Sequence, residues 1–276
     1  MTDIARETVD DWESLVATLD DYYKHFNGYI FRGQADAKWK LESTLSRALK
    51  TAYPQAKGIK QIENAHLYNF KVNIRGRNNL DLENVSDDEL WALGQHFGLH
   101  TPLLDWTRSP YVALYFSLFG KCESGYRAIW ALLESDVKTI NKKIKIPSKR
   151  IRIINPITNH NQRLVNQRGL FVKIPIGVDL ENWVRPSKSF TWITMYKISF
   201  PDKIRDDALA ALDNMNINYL SLFPDITGSS LYTNYQLEIE PFLEEGRSKQ
   251  WKISDEMKKA LKKMKKNKKN NSKAVE

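Results

Sequence analysis

The segment from Tyr111 to Phe119, YVALYFSLF, is apolar on nearly every side of a helix. A surface helix keeps one polar face, so a helix without one has to be enclosed. Other elements must wrap around this piece, and 276 residues are ample for such a core. The flanking residues agree. Ser109 can cap the helix, and Pro110 takes its first position, where the missing N–H is no loss. Just upstream, Leu103-Leu104 lead into Asp105-Trp106-Thr107, which sets a carboxylate between apolar neighbours.

Around this piece helical and strand patterns alternate irregularly. Residues 8–27 place Val9, Trp12, Leu15, Val16, Leu19, Tyr22, Tyr23 and Phe26 near helical period, and Asn27-Gly28 ends that helix. Tyr29-Ile30-Phe31 reads as a buried strand entering Arg32-Gly33-Gln34. Helices are expected over 42–53 and 60–75, with a polar loop over 81–88. Ser86 and Glu89 have the spacing of a capping box for the helix 90–97, which Gly98 closes. Strands are expected over 128–133, 171–176 and 191–198, and a helix over 202–215. The basic, alternating stretch 141–152 reads as an edge strand or loop. Leu220–Phe223 runs into a turn-rich stretch over 224–228, and 234–242 reads equally as helix or strand. No internal repeat or long linker is visible. The expectation is an α+β fold: one domain over 1–246, with a mixed, mainly antiparallel sheet packed with helices, followed by a tail.

Charge separates that tail from the rest. The net charge is +9, and residues 247–276 hold twelve Lys and Arg against three acids. The preceding 246 residues balance 30 cations against 30 acids. In the tail Ile253, Met257, Leu261 and Met264 mark one helical face. KKNKKNNSKAVE then has no apolar face and is expected to be disordered. The tail reads either as a nucleic-acid-binding arm or as a solubilising end with a docked helix, and no aromatic follows Trp251 for base stacking.

Several classes drop out. The single cysteine, Cys122, supports neither a disulfide framework nor a cysteine-rich zinc site. No apolar run is long enough to span a bilayer, and the first residues lack the basic and apolar regions of a signal peptide. A cytoplasmic protein without a membrane partner is expected. GxGxxG, GxxxxGK[ST] and HExxH are absent. The His96/His100 pair straddles Gly98, so no metal is expected. No paired carboxylates near Asp105 point to a magnesium-dependent nuclease.

Two segments concentrate polar groups in apolar surroundings: Phe31-Arg32-Gly33-Gln34, and Gln95-His96-Phe97-Gly98 continuing through Thr101 to Thr107. An arginine after a buried strand needs an anionic partner or ligand. A carboxylate between Leu and Trp is either tied up structurally or poised for reaction. One economical alternative is that Arg32 and Asp105 form a buried structural pair, leaving a binding module without turnover.

On these residues the chain resembles the FRG domain family, named after the tripeptide present here as Phe31-Arg32-Gly33. Trp39-Lys40-Leu41 with Ser43-Thr44-Leu45-Ser46-Arg47 resembles the family's next block. Gln95–Gly98, Leu104–Thr107, Ser109-Pro110 and Ala113–Phe116 resemble its central signature. Arg163, Gln167, Gly169 and Phe171 resemble a third block, and Leu222–Asp225 with Gly228 a fourth. One departure is Pro102, which follows Thr101 where the family usually has arginine. In motif order the chain is also similar to the ADP-ribosyltransferase fold, whose sheet is split and whose first-strand arginine binds NAD phosphate. That resemblance implies NAD as substrate and an effector of toxin or phage-defence type, acting on a macromolecule, with nucleic acid or a silencing antitoxin among its partners. It assigns catalytic roles to Arg32, Asp105, Thr107 and Gln167. It assigns NAD contacts to Arg32, Gln34, Gln95, His96, Thr101, Trp106, Ser109 and Phe116, with Trp106 or Phe116 stacking on nicotinamide. The transferases' Gln-x-Glu string occurs as Gln236-Leu237-Glu238, more than 120 residues beyond Thr107.

Overall fold

The computed structural model describes residues 4–25, 28–55, 58–77, 82, 84–156, 162–184, 194–242 and 244, with five isolated tail positions, 255, 258, 259, 262 and 263. The rest of the tail, including the apolar stripe read from Ile253 to Met264, lies outside the described residues. The elements run β1 (Ile4–Thr8), α1 (Trp12–His25), β2 (Tyr29–Gln34), α2 (Thr44–Ala52), α3 (Ile59–Asn73) and α4 (Asp87–His96). Then come β3 (Leu103–Thr107), α5 (Pro110–Ser117), β4 (Tyr126–Leu133), α6 (Glu134–Lys143), β5 (Arg152–Ile154) and α7 (Gln162–Asn166). The series continues with β6 (Gly169–Lys173), α8 (Leu180–Val184), β7 (Met195–Pro201), α9 (Arg205–Asn214) and α10 (Tyr219–Leu222). Residues 226–242 are helical. The chain divides into two units, Met1–Asp225 and Ile226–Glu276.

The fold class is α+β, with one open sheet of seven strands in the order β1-β7-β4-β2-β3-β6-β5. Every pairing is antiparallel except β1 with β7. Strand alternation sorts the core into two layers. Ile30, Leu104, Trp106, Trp130, Leu170 and Val172 meet Leu180 and Val184 of α8 on one face. On the other, Leu103 and Phe171 meet Leu45, Leu49, Leu67, Leu90 and Trp91 from α2, α3 and α4. The apolar helix α5 is enclosed as its sequence requires: Val112, Ala113, Leu114 and Tyr115 are buried. Both caps read from the sequence form. Ser86 and Glu89 close a reciprocal capping box on α4, and Ser109 accepts from the Val112 amide at the start of α5.

Gly33 explains how α5 reaches the sheet. A β-carbon there would lie 2.0 Å from the Ala113 carbonyl oxygen and 2.6 Å from the Ser117 nitrogen. Only glycine lets the helix backbone lie directly on β2. That approach sets the position of β2 relative to its other neighbour. β2 and β4 pair through six registers, from Tyr29 with Leu133 to Gln34 with Ala128. β2 and β3 pair at one register only, Phe31 with Thr107. Past that point the two central strands part.

The fold differs from the sequence reading in places. β1 was not expected, and residues 224–242 are not a turn followed by an undecided element. Helix begins at 226, despite Gly228 and a polar composition. Within it Ser230 and Thr233 donate their hydroxyls to the carbonyls of Ile226 and Ser229, one turn back, so these polar groups are satisfied inside the helix. The basic stretch 141–152 combines the end of α6, a 3-10 turn over Pro147–Lys149 and the edge strand β5.

Candidate functional site

Where β2 and β3 part, a cavity of about 300 Å3 opens, lined from both strands and from α4, α5, α7 and the segment after α10. Its polar rim carries Arg32, Gln95, His96, Asp105, Thr107, Arg163 and Gln167. Its apolar wall carries Phe31, Ala113, Phe116, Leu164, Phe171 and Phe223. Arg32 and Asp105 thus face one cavity, as do Thr107 and Gln167.

Arg32 bridges the gap left by the missing strand pairs. Its Nη1 donates to the Asp105 carbonyl oxygen at 2.6 Å and lies 3.8 Å from the carboxylate Oδ2. A guanidinium hydrogen bond takes the place of a ladder bond here. Burial presses the Arg32 pKa below its ordinary value, Asp105 opposes that, and Arg47 adds to it. The Nε is buried and has no hydrogen-bond partner among the described residues. A charged donor left over in such a place favours an anionic or carbonyl ligand.

The carboxylate of Asp105 is not buried. Its side chain is 69% exposed, which corrects the expectation drawn from its apolar neighbours. Alternation along β3 sends Leu104 and Trp106 into the core on the far face and leaves Asp105 on the open one. The carboxylate is nonetheless oriented. Gln95 Nε2 donates to Asp105 Oδ1 at 2.8 Å, and Thr101 Oγ1 donates to Gln95 Oε1. The Thr101 hydroxyl in turn accepts from the Leu103 amide at 3.2 Å. This relay fixes the side chain that fixes Asp105.

The other expected residues divide. Gln95, His96 and Phe116 line the cavity. Thr101 does not: it is fully buried beneath Gln95. Gln34 is buried as well, accepting from Trp130 Nε1 at 2.7 Å and donating to the Lys40 carbonyl. Ser109 is a helix cap. Trp106 reaches the lining, but it belongs to the core cluster with Ile30, Leu104 and Trp130. Thr107 donates to the Gln167 carbonyl at 2.7 Å and accepts from the Ser109 amide at 3.0 Å. The Gln167 amide donates to the Leu222 carbonyl at 3.1 Å. Both groups build the wall: the Thr107 hydroxyl has spent its one proton, while Gln167 Nε2 keeps a second N–H. Gln236-Leu237-Glu238 lies in the helix over 226–242, and the cavity lining comes entirely from residues 31–223.

One group was missed as a site residue. Arg163 of α7 donates to Asp225 at 2.7 Å and lies over the Phe223 ring at 5.2 Å. Phe223 packs edge-on against Phe116. Burial, with Arg163 nearby, lowers the His96 pKa below its usual 6.5, and Asp225 opposes the shift. The sequence held one signal, the third and fourth blocks of the resemblance, but nothing in their spacing shows that α7 and the Phe223 segment fold over one cavity. Among the described residues no group of three His, Cys, Asp or Glu is placed to hold a metal, and no helix is long and apolar enough to cross a membrane.

Fold and cavity together define an α+β domain with a polar-rimmed pocket between parting sheet strands. Residues 27–124 match the family model of the FRG domain, and the chain therefore carries an FRG domain. That span holds Phe31-Arg32-Gly33 and the Gln95–Thr107 signature, whereas Arg163, Gln167 and Phe223 lie beyond it. No curated protein and no solved structure matches the chain.

Proposed function

We propose that the cavity binds the nicotinamide riboside half of NAD and transfers the ADP-ribosyl group to a macromolecular acceptor, as expected of an effector. The observation that carries this reading is the cleft itself, with a partly buried guanidinium whose Nε has no acceptor among the described residues, beside an exposed, oriented carboxylate. Cleaving the bond between nicotinamide and ribose builds positive charge on the sugar. A carboxylate near that carbon stabilises it, and nicotinamide departs as a neutral base while the acceptor's nucleophile closes the new bond and releases its proton. Asp105 supplies the charge. Arg32 offers the pyrophosphate a cation with a forked donor set. Phe116 and Phe223 offer a planar ring two aromatic surfaces. The volume is at the lower end for ligand pockets, which are about 300–1,000 Å3, so the adenosine half would extend past the mouth.

A second reading, a binding module without turnover, draws on the engaged state of Thr107 and Gln167. The two are separated by incubating the purified full chain with NAD and with total RNA, DNA or protein from a cell extract, and measuring free nicotinamide. Turnover by the wild type that is lost in folded Asp105→Asn supports the transferase. NAD binding without nicotinamide release supports the module. Neither NAD binding nor nicotinamide release with any extract removes the transferase and leaves a module for nucleic acid or protein.

A further inference from the structure

The balanced charge of residues 1–246 hides a local asymmetry. No Asp or Glu occurs from Val137 to Val178, a span with ten Lys and Arg. Seven of them fall between 138 and 152: Lys138, Lys142, Lys143, Lys145, Lys149, Arg150 and Arg152. We propose that this edge of the sheet is a nucleic-acid-binding surface, distinct from the tail.

The loop is built rather than merely solvated. Asn141 grips Ile151 from both sides, donating to its carbonyl at 2.7 Å and accepting from its amide at 3.2 Å. Arg150 donates twice to the Ile144 carbonyl, at 3.1 and 2.9 Å. Trp183 donates its indole N–H to the Lys149 carbonyl at 3.0 Å. These bonds hold the backbone between α6 and β5 in one shape, while the side chains of Lys138, Lys142, Lys145 and Lys149 stay exposed. The end of a helix favours cations and accounts for Lys142 and Lys143. It does not account for Lys145 and Lys149, which lie past the helix end. Asp88 is shared by Arg152 and Lys173, while Lys138, Lys142, Lys145 and Lys149 stand exposed toward the loop.

The occupant follows from the chemistry. A row of exposed lysines on a fixed backbone, without intervening acids, suits a repeating phosphate chain, whose bound counterions are released on contact. The loop packs through Val137, Ile151 and Trp183 on the sheet face of Leu104 and Val172, whereas the cavity opens on the face of Phe171, so this surface stands apart from the site proposed above. The binding itself does not depend on that site being catalytic.

The test uses the full chain, tail included, and a labelled 20-nucleotide RNA of mixed sequence, with affinity followed by anisotropy across a salt series. The loop variant replaces Lys138, Lys142, Lys145 and Lys149 with Gln. The control replaces the exposed Lys60 and Lys121 with Gln. Losing four phosphate contacts flattens the slope of log affinity against log salt by about 3, at roughly 0.7 per contact for a single strand. Affinity near physiological salt should fall at least about tenfold for the loop variant and stay unchanged for the control. Equal slopes for the wild type and loop variant overturn the proposal and leave any binding to the tail. Displacement of the RNA by polyglutamate at equal charge concentration also overturns it, because the surface would then be one for acidic protein.

Discussion

Two arginines on neighbouring strands, each with an aspartate nearby, have opposite circumstances. Arg127 on β4 is 3% exposed. Its Nε donates to Asp202, its Nη1 to the Ser117 carbonyl at 2.7 Å and its Nη2 to the Gly120 carbonyl at 3.4 Å. Every nitrogen of that guanidinium has a protein acceptor. Arg32 on β2 makes one short bond, to a backbone carbonyl, and stands 3.8 Å from its carboxylate, with Nε unpartnered among the described residues. Arg127 ties β4 to the end of α5 and to the start of the turn before α9. Arg32 spans a gap in the sheet and keeps donors in reserve. An arginine–aspartate proximity is therefore not one kind of feature, and what tells the two apart is how many donors remain.

The largest effect concerns the gap that gives Arg32 its place. Gly33→Ala forces a methyl group to 2.0 Å from a helix carbonyl. Overpacking against backbone should cost about 3 kcal/mol or more. The variant should express poorly or melt far below the wild type in differential scanning calorimetry. Next, Arg127→Met leaves Asp202 and two carbonyls without their donor, at a cost of about 3 kcal/mol once the half-exposure of Asp202 is allowed for. A melting point lower by about 10 °C is expected. Arg32→Ala should lower it by no more than about 3 °C, since one bond is lost and a desolvated charge is relieved. If Arg32→Ala is as damaging as Arg127→Met, the contrast between them fails.

These positions also show what the sequence made legible. The capping box at Ser86, Pro110 at the head of α5 and the burial of that helix were readable, because each depends on residues within a few positions of one another. Arg32, Asp105 and His96 were readable as polar residues in unusual company. The exposure of Asp105 was not, because it depends on which way a five-residue strand faces, and Leu103-Leu104 on both faces of the core hide that alternation. Arg163 was not readable as a site residue either. Its place depends on α7 and Phe223 meeting over the cavity across sixty residues of chain.

Two finer predictions sharpen the comparison. Asp105→Asn should change stability by less than about 0.5 kcal/mol, since the side chain is mostly solvated, while lowering any nicotinamide release at least about a hundredfold. The smallest effect belongs to His96. Its folded pKa lies below 6.5, so as pH falls through that value the unfolded chain takes up a proton that the folded site resists. Stability should fall on acidification from pH 7.5 to 5.5, and urea titrations should show a shallower fall in His96→Gln.

The central claim is that the Arg32–Asp105 cleft receives a nucleotide rather than bracing the fold. Titrating NAD into the wild type and into Arg32→Ala by calorimetry tests it most directly. The account predicts saturable binding at one site that weakens at least about tenfold, or 1.4 kcal/mol, in a variant that still melts within a few degrees of the wild type. No heat of binding to the wild type, or equal affinity in Arg32→Ala, would contradict it.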